Sequence, residues 1–205
     1  MRNLFRGLSL ALVAAVVLTA HSLAFANVKV GEKAPDFTLV DSNGKSVKLS
    51  AYAGKTVVLE WFNKGCPYVK KHYESKNMQA LQKAYTDKGI IWLTVISSAP
   101  KKQGYETPEE ANKTRAEWAI ASTATLLDTK GEVGRTYGAK TTPHMYVVDP
   151  KGMLAYNGAI DSISSSDAAD IPKSVNYVSG ALDLVAAGKP VTTASTKPYG
   201  CSVKY

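Results

Sequence analysis

Hydrophobic runs of two kinds alternate along the chain from residue 28 onward. Short continuous runs rich in β-branched residues read as strands, and segments whose apolar residues return every three or four positions read as helices. Residues 37–40 and 46–49 flank Asp41-Ser42-Asn43-Gly44-Lys45, where Asn43-Gly44 tolerates φ > 0; this predicts a β-hairpin. Residues 55–60 form a buried strand. Val69, Tyr73, Met78, Leu81 and Tyr85 then trace a helical stripe. One over-long step in that stripe marks a kink or loosened turn at Ser75-Lys76-Asn77, and Gly89 ends the helix. Residues 90–96 are apolar throughout, the pattern of a central strand covered on both faces.

The second half continues the alternation. Residues 99–107 read as a polar loop, and Pro108-Glu109-Glu110 opens a helix with acids in its first turn. That helix runs through Ala111, Trp118 and Ile120 to about residue 121. A short strand at 125–128 and a helical turn or two at 131–137, closed by Gly138, follow. Residues 145–149 and 153–156 make a second hairpin across Pro150-Lys151-Gly152. The Ser-, Ala- and Asp-rich stretch 161–170 reads as a mobile loop. Residues 175–187 carry Val178, Leu182, Leu184 and Val185 at helical spacing and stop at Gly188. From residue 189 no period is visible. The expected product is an α/β domain with a mixed sheet and helices on both faces.

The first residues change the picture of where the protein works. Arg2 and Arg6 form a basic region, residues 8–20 an apolar one, and Ala24-Phe25-Ala26 a small-x-small cleavage site. Residues 1–26 are therefore expected to be a signal peptide, and the mature protein to be periplasmic or secreted, with no membrane contact after cleavage. Residues 27–188 are read as one domain and residues 189–205 as a C-terminal tail packed on it. Loss of the leader lowers the net charge of +8 by the charges of Arg2 and Arg6. The remaining lysines are spread along the chain with no aromatic-basic stripe, so no nucleic-acid partner is expected. Two cysteines, Cys66 and Cys201, are too few for a disulfide scaffold or a Cys-rich metal site but suffice for one redox couple.

Cys66 carries the candidate chemistry. Pro67 suits the first position of a helix, which sets Cys66 at the N-cap, on a strand-to-helix turn. Free N–H groups and the positive helix end there favour the thiolate. Lys64, Lys70, Lys71 and His72 are expected to add positive charge, and a cysteine so placed is a nucleophile. His72 is read as a half-exposed helix residue; neither it nor His144 falls at metal-ligand spacing, so no metal or other cofactor is expected. Trp61, Trp92 and Trp118 read as core.

Residues 60–73, Glu-Trp-Phe-Asn-Lys-Gly-Cys-Pro-Tyr-Val-Lys-Lys-His-Tyr, resemble a branch of the redoxin proteins related to the alkyl hydroperoxide reductase and thiol-specific antioxidant family. The likeness extends through residues 139–149 to the C-terminal Thr-Lys-Pro-Tyr-Gly-Cys-Ser-Val-Lys-Tyr. It implies an extended thioredoxin-like fold and thiol–disulfide oxidoreductase chemistry. Its partners would be protein or small-molecule thiols and disulfides, together with an electron-donating redox protein. By this resemblance Cys66 is the nucleophile and Cys201 the resolving cysteine, carried by a tail folded back over the Cys66 turn. Glu60 matches a buried acid that exchanges protons with the nucleophile, although the strand pattern alone leaves it free to face outward. Pro143 matches a cis-proline beside the nucleophile, and Thr142, Pro67 and Asn63 fall where substrate binds. Peroxiredoxins of the wider family have Thr or Ser at position 63 and Arg at position 143. With Asn63 and Pro143 in those places, disulfide exchange is favoured over peroxide reduction. Two readings stay open beside it: a thiol peroxidase, and a non-catalytic binding domain stapled by a Cys66–Cys201 bridge.

Overall fold

The structure is a computed structural model that describes residues 28–205; the leader expected at residues 1–26 lies outside the described residues. Seven strands form one mixed sheet in the order β2-β1-β5-β4-β3-β7-β8. Its centre is parallel: β3 (Val57–Trp61), β4 (Ile91–Ile96) and β5 (Ala124–Leu127) run side by side. The predicted hairpin of β1 (Thr38–Asp41) and β2 (Ser46–Lys48) joins antiparallel to β5 at one edge. The second hairpin, β7 (His144–Val148) and β8 (Leu154–Gly158), joins antiparallel to β3 at the other. All residues of β3, β4 and β7 are buried, as expected of strands covered on both faces.

Side-chain alternation sends Val57, Leu59 and Trp61 to one face of β3 and Val58 and Phe62 to the other. The first face is covered by Val28, Phe37 and Leu49 and by Val133 and Tyr137 of the short helix α4 (Glu132–Tyr137). Helices α1 (Pro67–Glu74), α2 (Asn77–Thr86) and α5 (Tyr177–Ala186) cover the second, with Val69, Tyr73, Met78, Val178 and Leu182 buried there. Ala111 of α3 (Pro108–Glu117) packs on the same side. The expected arrangement of helices on both faces is found.

The loosened turn expected at 75–77 is found as a full break, and two other local expectations are corrected. The helix expected after Cys66 breaks into α1 and α2, because Lys76 takes a left-handed conformation at φ 64° and interrupts the backbone ladder. Helix α3 ends at Glu117, not near 121, since Ala119 also has positive φ. The stretch 161–170 is tied down: Asp161 is buried in an ion pair with Lys71, and a 3₁₀ turn begins at Ala168.

The last residues form a strap with no helix of their own. Thr196 N donates to Asn157 O on the β8 edge, and the strap then crosses to the loop before β7. There β9 (Cys201–Ser202) pairs antiparallel with β6 (Thr141–Thr142), Cys201 opposite Thr142. Beyond it Val203 N donates to Lys140 O, Ala99 N donates to Lys204 O, and the Tyr205 hydroxyl donates to Ala139 O at 2.8 Å. An aperiodic sequence is thus held by backbone bonds at both ends.

Candidate active site

Strand β3 delivers the chain at Trp61 into a turn whose geometry is set by Asn63. The Asn63 side chain is fully buried; it accepts from Gly65 N at 2.8 Å and donates to Gln103 O at 3.2 Å. Both ends of its amide are thus occupied within the protein. Cys66 follows as the N-cap of α1, with Pro67 at the first helical position, as expected. The Thr142–Pro143 peptide is cis and lies against this turn: the Cys66 thiol donates to Thr142 O at 3.0 Å. Cys201, 135 residues further along the chain, stands with its sulfur 2.7 Å from that of Cys66. The structure therefore brings Cys66, Pro67, Thr142, Pro143 and Cys201 to one place, with Asn63 beneath them. Gly200 permits the close approach, since at φ 136° a Cβ there would overlap Thr142 O.

The two thiols are unequal. Burial opposes ionisation of Cys66, but the Cys201 thiol and the Thr142 side chain can hydrogen-bond the sulfur, as can the Cys201 and Val69 N–H groups. The balance holds its pKa below the ordinary thiol value. The Thr142 hydroxyl has no other partner and is buried, so it is free to serve the thiolate. Cys201 is only half-buried, yet its pKa is pushed up to about 11 by partial burial and by the neighbouring Cys66 sulfur. Cys66 itself has no exposed surface.

The support expected from helix N–H groups is found at Val69, whereas three of the four expected side-chain charges are engaged or absent. Lys64 pairs with buried Glu106 at 2.9 Å, and Lys71 is buried against Asp161 at 3.4 Å. His72 is fully buried, not half-exposed, and burial pushes its pKa down to about 4, leaving it neutral. These charges are spent elsewhere, so hydrogen bonds at the sulfur carry the shift. His144 is also buried, with its pKa pushed down to about 3 by burial. Among the described residues no group of three or more His, Cys, Asp or Glu could hold a metal ion.

Glu60 faces inward with no exposed surface, on the face of β3 that also carries Val58 and Phe62. Burial raises its pKa, although its carboxylate accepts from the Tyr73 hydroxyl, from Gln82 Nε2 and from Trp92 Nε1 at 2.7–2.9 Å. Its hydrogen-bond partners are those side chains and not Cys66. Glu60→Gln replaces an oxygen acceptor by an amide donor within that set of donors. The variant is expected to lose about 1–3 kcal/mol of stability, seen as a lower urea midpoint. An unchanged midpoint would show that this network contributes nothing to the fold.

Sequence reasoning missed Asp161 and Tyr199. The Tyr199 hydroxyl donates to Asp161 Oδ1, and its ring meets Tyr68 of α1 edge-on at 5.8 Å. Lys71 Nζ lies over the same ring at 5.7 Å. The only sequence signal is a tyrosine two positions before Cys201, and nothing in its neighbourhood points to an aspartate 38 residues away.

A capping cysteine beside a cis-proline, at one end of the paired strands β3 and β7 of a mixed sheet, places this fold in the thioredoxin-like class. Within that class, residues 30–157 match the AhpC/TSA family, to which the chain belongs. The chain is 26% identical over 165 residues to the thiol-disulfide oxidoreductase ResA of Bacillus subtilis, covering 75% of this chain and 83% of that protein. A solved structure described as an uncharacterized conserved protein from Geobacillus kaustophilus superposes with TM-score 0.75 at 27% identity, over 86% of this chain and 92% of that one. A putative thiol:disulfide interchange protein DsbE from Chlorobium tepidum superposes with TM-score 0.50 at 27% identity, over 63% and 84% of the two chains.

Proposed function

We propose that the protein is a thiol–disulfide oxidoreductase that works with Cys66 and Cys201 as one dithiol couple, exported after loss of residues 1–26. The observation that carries this reading is the opposition of the two sulfurs at 2.7 Å beside the cis-proline loop. The Cys66 thiolate attacks one sulfur of a substrate disulfide R–S–S–R′. A Cys66–S–S–R bond forms, the substrate S–S bond breaks, and R′–S⁻ leaves and takes up a proton. The Cys201 sulfur, losing its proton, then attacks the Cys66 sulfur of the mixed disulfide and expels R–S⁻, which is protonated. The substrate gains two electrons and the couple becomes a Cys66–Cys201 disulfide, which an external dithiol donor reduces.

Pro143 and Thr142 shape the surface that an incoming sulfur meets, and Pro67 starts the helix whose N–H groups support the thiolate. Asn63 holds the turn in register beneath it. Glu60 stands behind the site as a buried ionisable group available for proton exchange. Since Cys66 has no exposed surface, a substrate sulfur reaches it only when β9 moves off β6. The direct test sets a model disulfide against hydrogen peroxide as oxidant of the reduced protein. Disulfide is expected to oxidise the couple at least about tenfold faster at equal concentration. Faster oxidation by peroxide would replace this reading with that of a peroxidase, and inertness toward both would leave a structural bridge.

A further inference from the structure

One carboxylate reaches both cysteine-bearing segments. Asp161 lies in the loop after β8 and is buried. Its Oδ2 faces Lys71 Nζ at 3.4 Å and His72 Nε2 at 3.7 Å, both on α1, the helix that Cys66 caps. Its Oδ1 accepts from Ile163 N at 3.1 Å and from the hydroxyl of Tyr199, two residues before Cys201. Lys71 Nζ also donates to Ile163 O at 3.2 Å, which fixes the loop to the helix.

Stability does not explain this arrangement. Burying an ion pair costs several kcal/mol per charge, and apolar residues of similar volume often serve as well or better. A buried pair can instead select one geometry among alternatives. Here the geometry selected is that of Tyr199 on α1. The strap is otherwise held by Thr196 upstream and by β9 to Tyr205 downstream, and the Tyr199 hydroxyl is the side-chain contact nearest to Cys201 on the upstream side.

We propose that Asp161 and Tyr199 are positioning residues that latch the C-terminal strap, setting how fast Cys201 resolves a mixed disulfide on Cys66 and how readily a substrate enters. The proposal rests on the exchange reading above. An attacking thiol held in place acts at a high effective concentration, and loss of the holding contact lowers that concentration. The same loss frees the strap to lift, which uncovers Cys66. The latch therefore trades access against resolution. A residue that merely supports the fold would not move the two steps in opposite directions.

The experiment uses the reduced full-length protein and the aromatic disulfide 5,5′-dithiobis(2-nitrobenzoate), which releases one coloured thiolate when Cys66 attacks and a second when Cys201 resolves. In Tyr199→Phe, which keeps the ring and removes the hydroxyl, the first release is expected to be several-fold faster and the second about tenfold slower. Tyr199→Leu, which also removes the contact with Tyr68, should widen both changes. Unchanged phases, or two phases slowed together, overturn the latch. Acid quenching and peptide mapping of the wild-type adduct keep the underlying reading separate. An adduct on Cys66 with unaltered variant kinetics overturns the proposal alone, whereas a wild-type adduct on Cys201 removes the exchange reading and the latch with it.

Discussion

Cys66→Ser is expected to abolish disulfide reduction, by about three orders of magnitude or more, while leaving the fold in place. Serine is close to cysteine in shape, and its hydroxyl can donate to Thr142 O as the thiol does. The hydroxyl is far too weak an acid to give a nucleophile without an adjacent base, and no such base among the described residues contacts the sulfur. The measured quantity is the rate of insulin or model-disulfide reduction, with the urea midpoint of the reduced protein as control. A structural bridge predicts a different result. Stability of the oxidised form would then fall by about 2–5 kcal/mol, and no exchange activity would exist to lose. Residual turnover within tenfold of wild type would end the assignment of Cys66 as nucleophile.

The sheet was legible because its strands announce themselves locally. β4 lies in a run of seven apolar or β-branched residues between Gly89 and Ser97-Ser98, and the Asn43-Gly44 turn joins β1 to β2 without help from the rest of the chain. The Cys66 cap was equally local, since Pro67 and the preceding strand fix the turn between them. Residues whose role depends on distant partners were harder to read. The apolar context of β3 hid which way Glu60 faces; the register of β3 between β4 and β7 turns it inward. Lys71 and His72 read as charges available to Cys66 because nothing nearby in sequence neutralises them. Asp161, 90 residues away, pairs with Lys71, and burial keeps His72 uncharged. The strap has no periodic pattern because it lies along sheet edges as an extended chain, held mainly through backbone groups that any sequence possesses. Its place near Cys66 came only from the family likeness. Tyr199 stands inside the motif that carries that likeness, but its role could not be read there, because it depends on the aspartate that receives its hydroxyl.

Cys201→Ser should leave the first chemical step intact and stop the second, so that a mixed disulfide with substrate accumulates on Cys66. Two effects compete over which thiol an external reagent meets first in the reduced wild-type protein. Exposure favours Cys201, because Cys66 has no accessible surface whereas Cys201 is only half-buried. Ionisation favours Cys66. With its pKa pushed up to about 11, Cys201 is a thiolate in roughly one molecule in ten thousand at neutral pH. Cys66 lies below the ordinary range and is ionised in a far larger fraction. A limiting alkylating reagent at pH 7 is expected to label Cys66 first, which would show that ionisation outweighs exposure. The sign of the pH dependence follows: labelling of Cys66 falls about tenfold per unit below its own pKa, while labelling of Cys201 keeps rising to about pH 11. Thiolate absorbance in Cys201→Ser should accordingly show a midpoint below the free-thiol value of about 8.5. Peptide mapping decides the order of labelling, and equal modification of the two thiols, or a substrate adduct trapped on Cys201 in Cys66→Ser, would reverse the roles assigned to them.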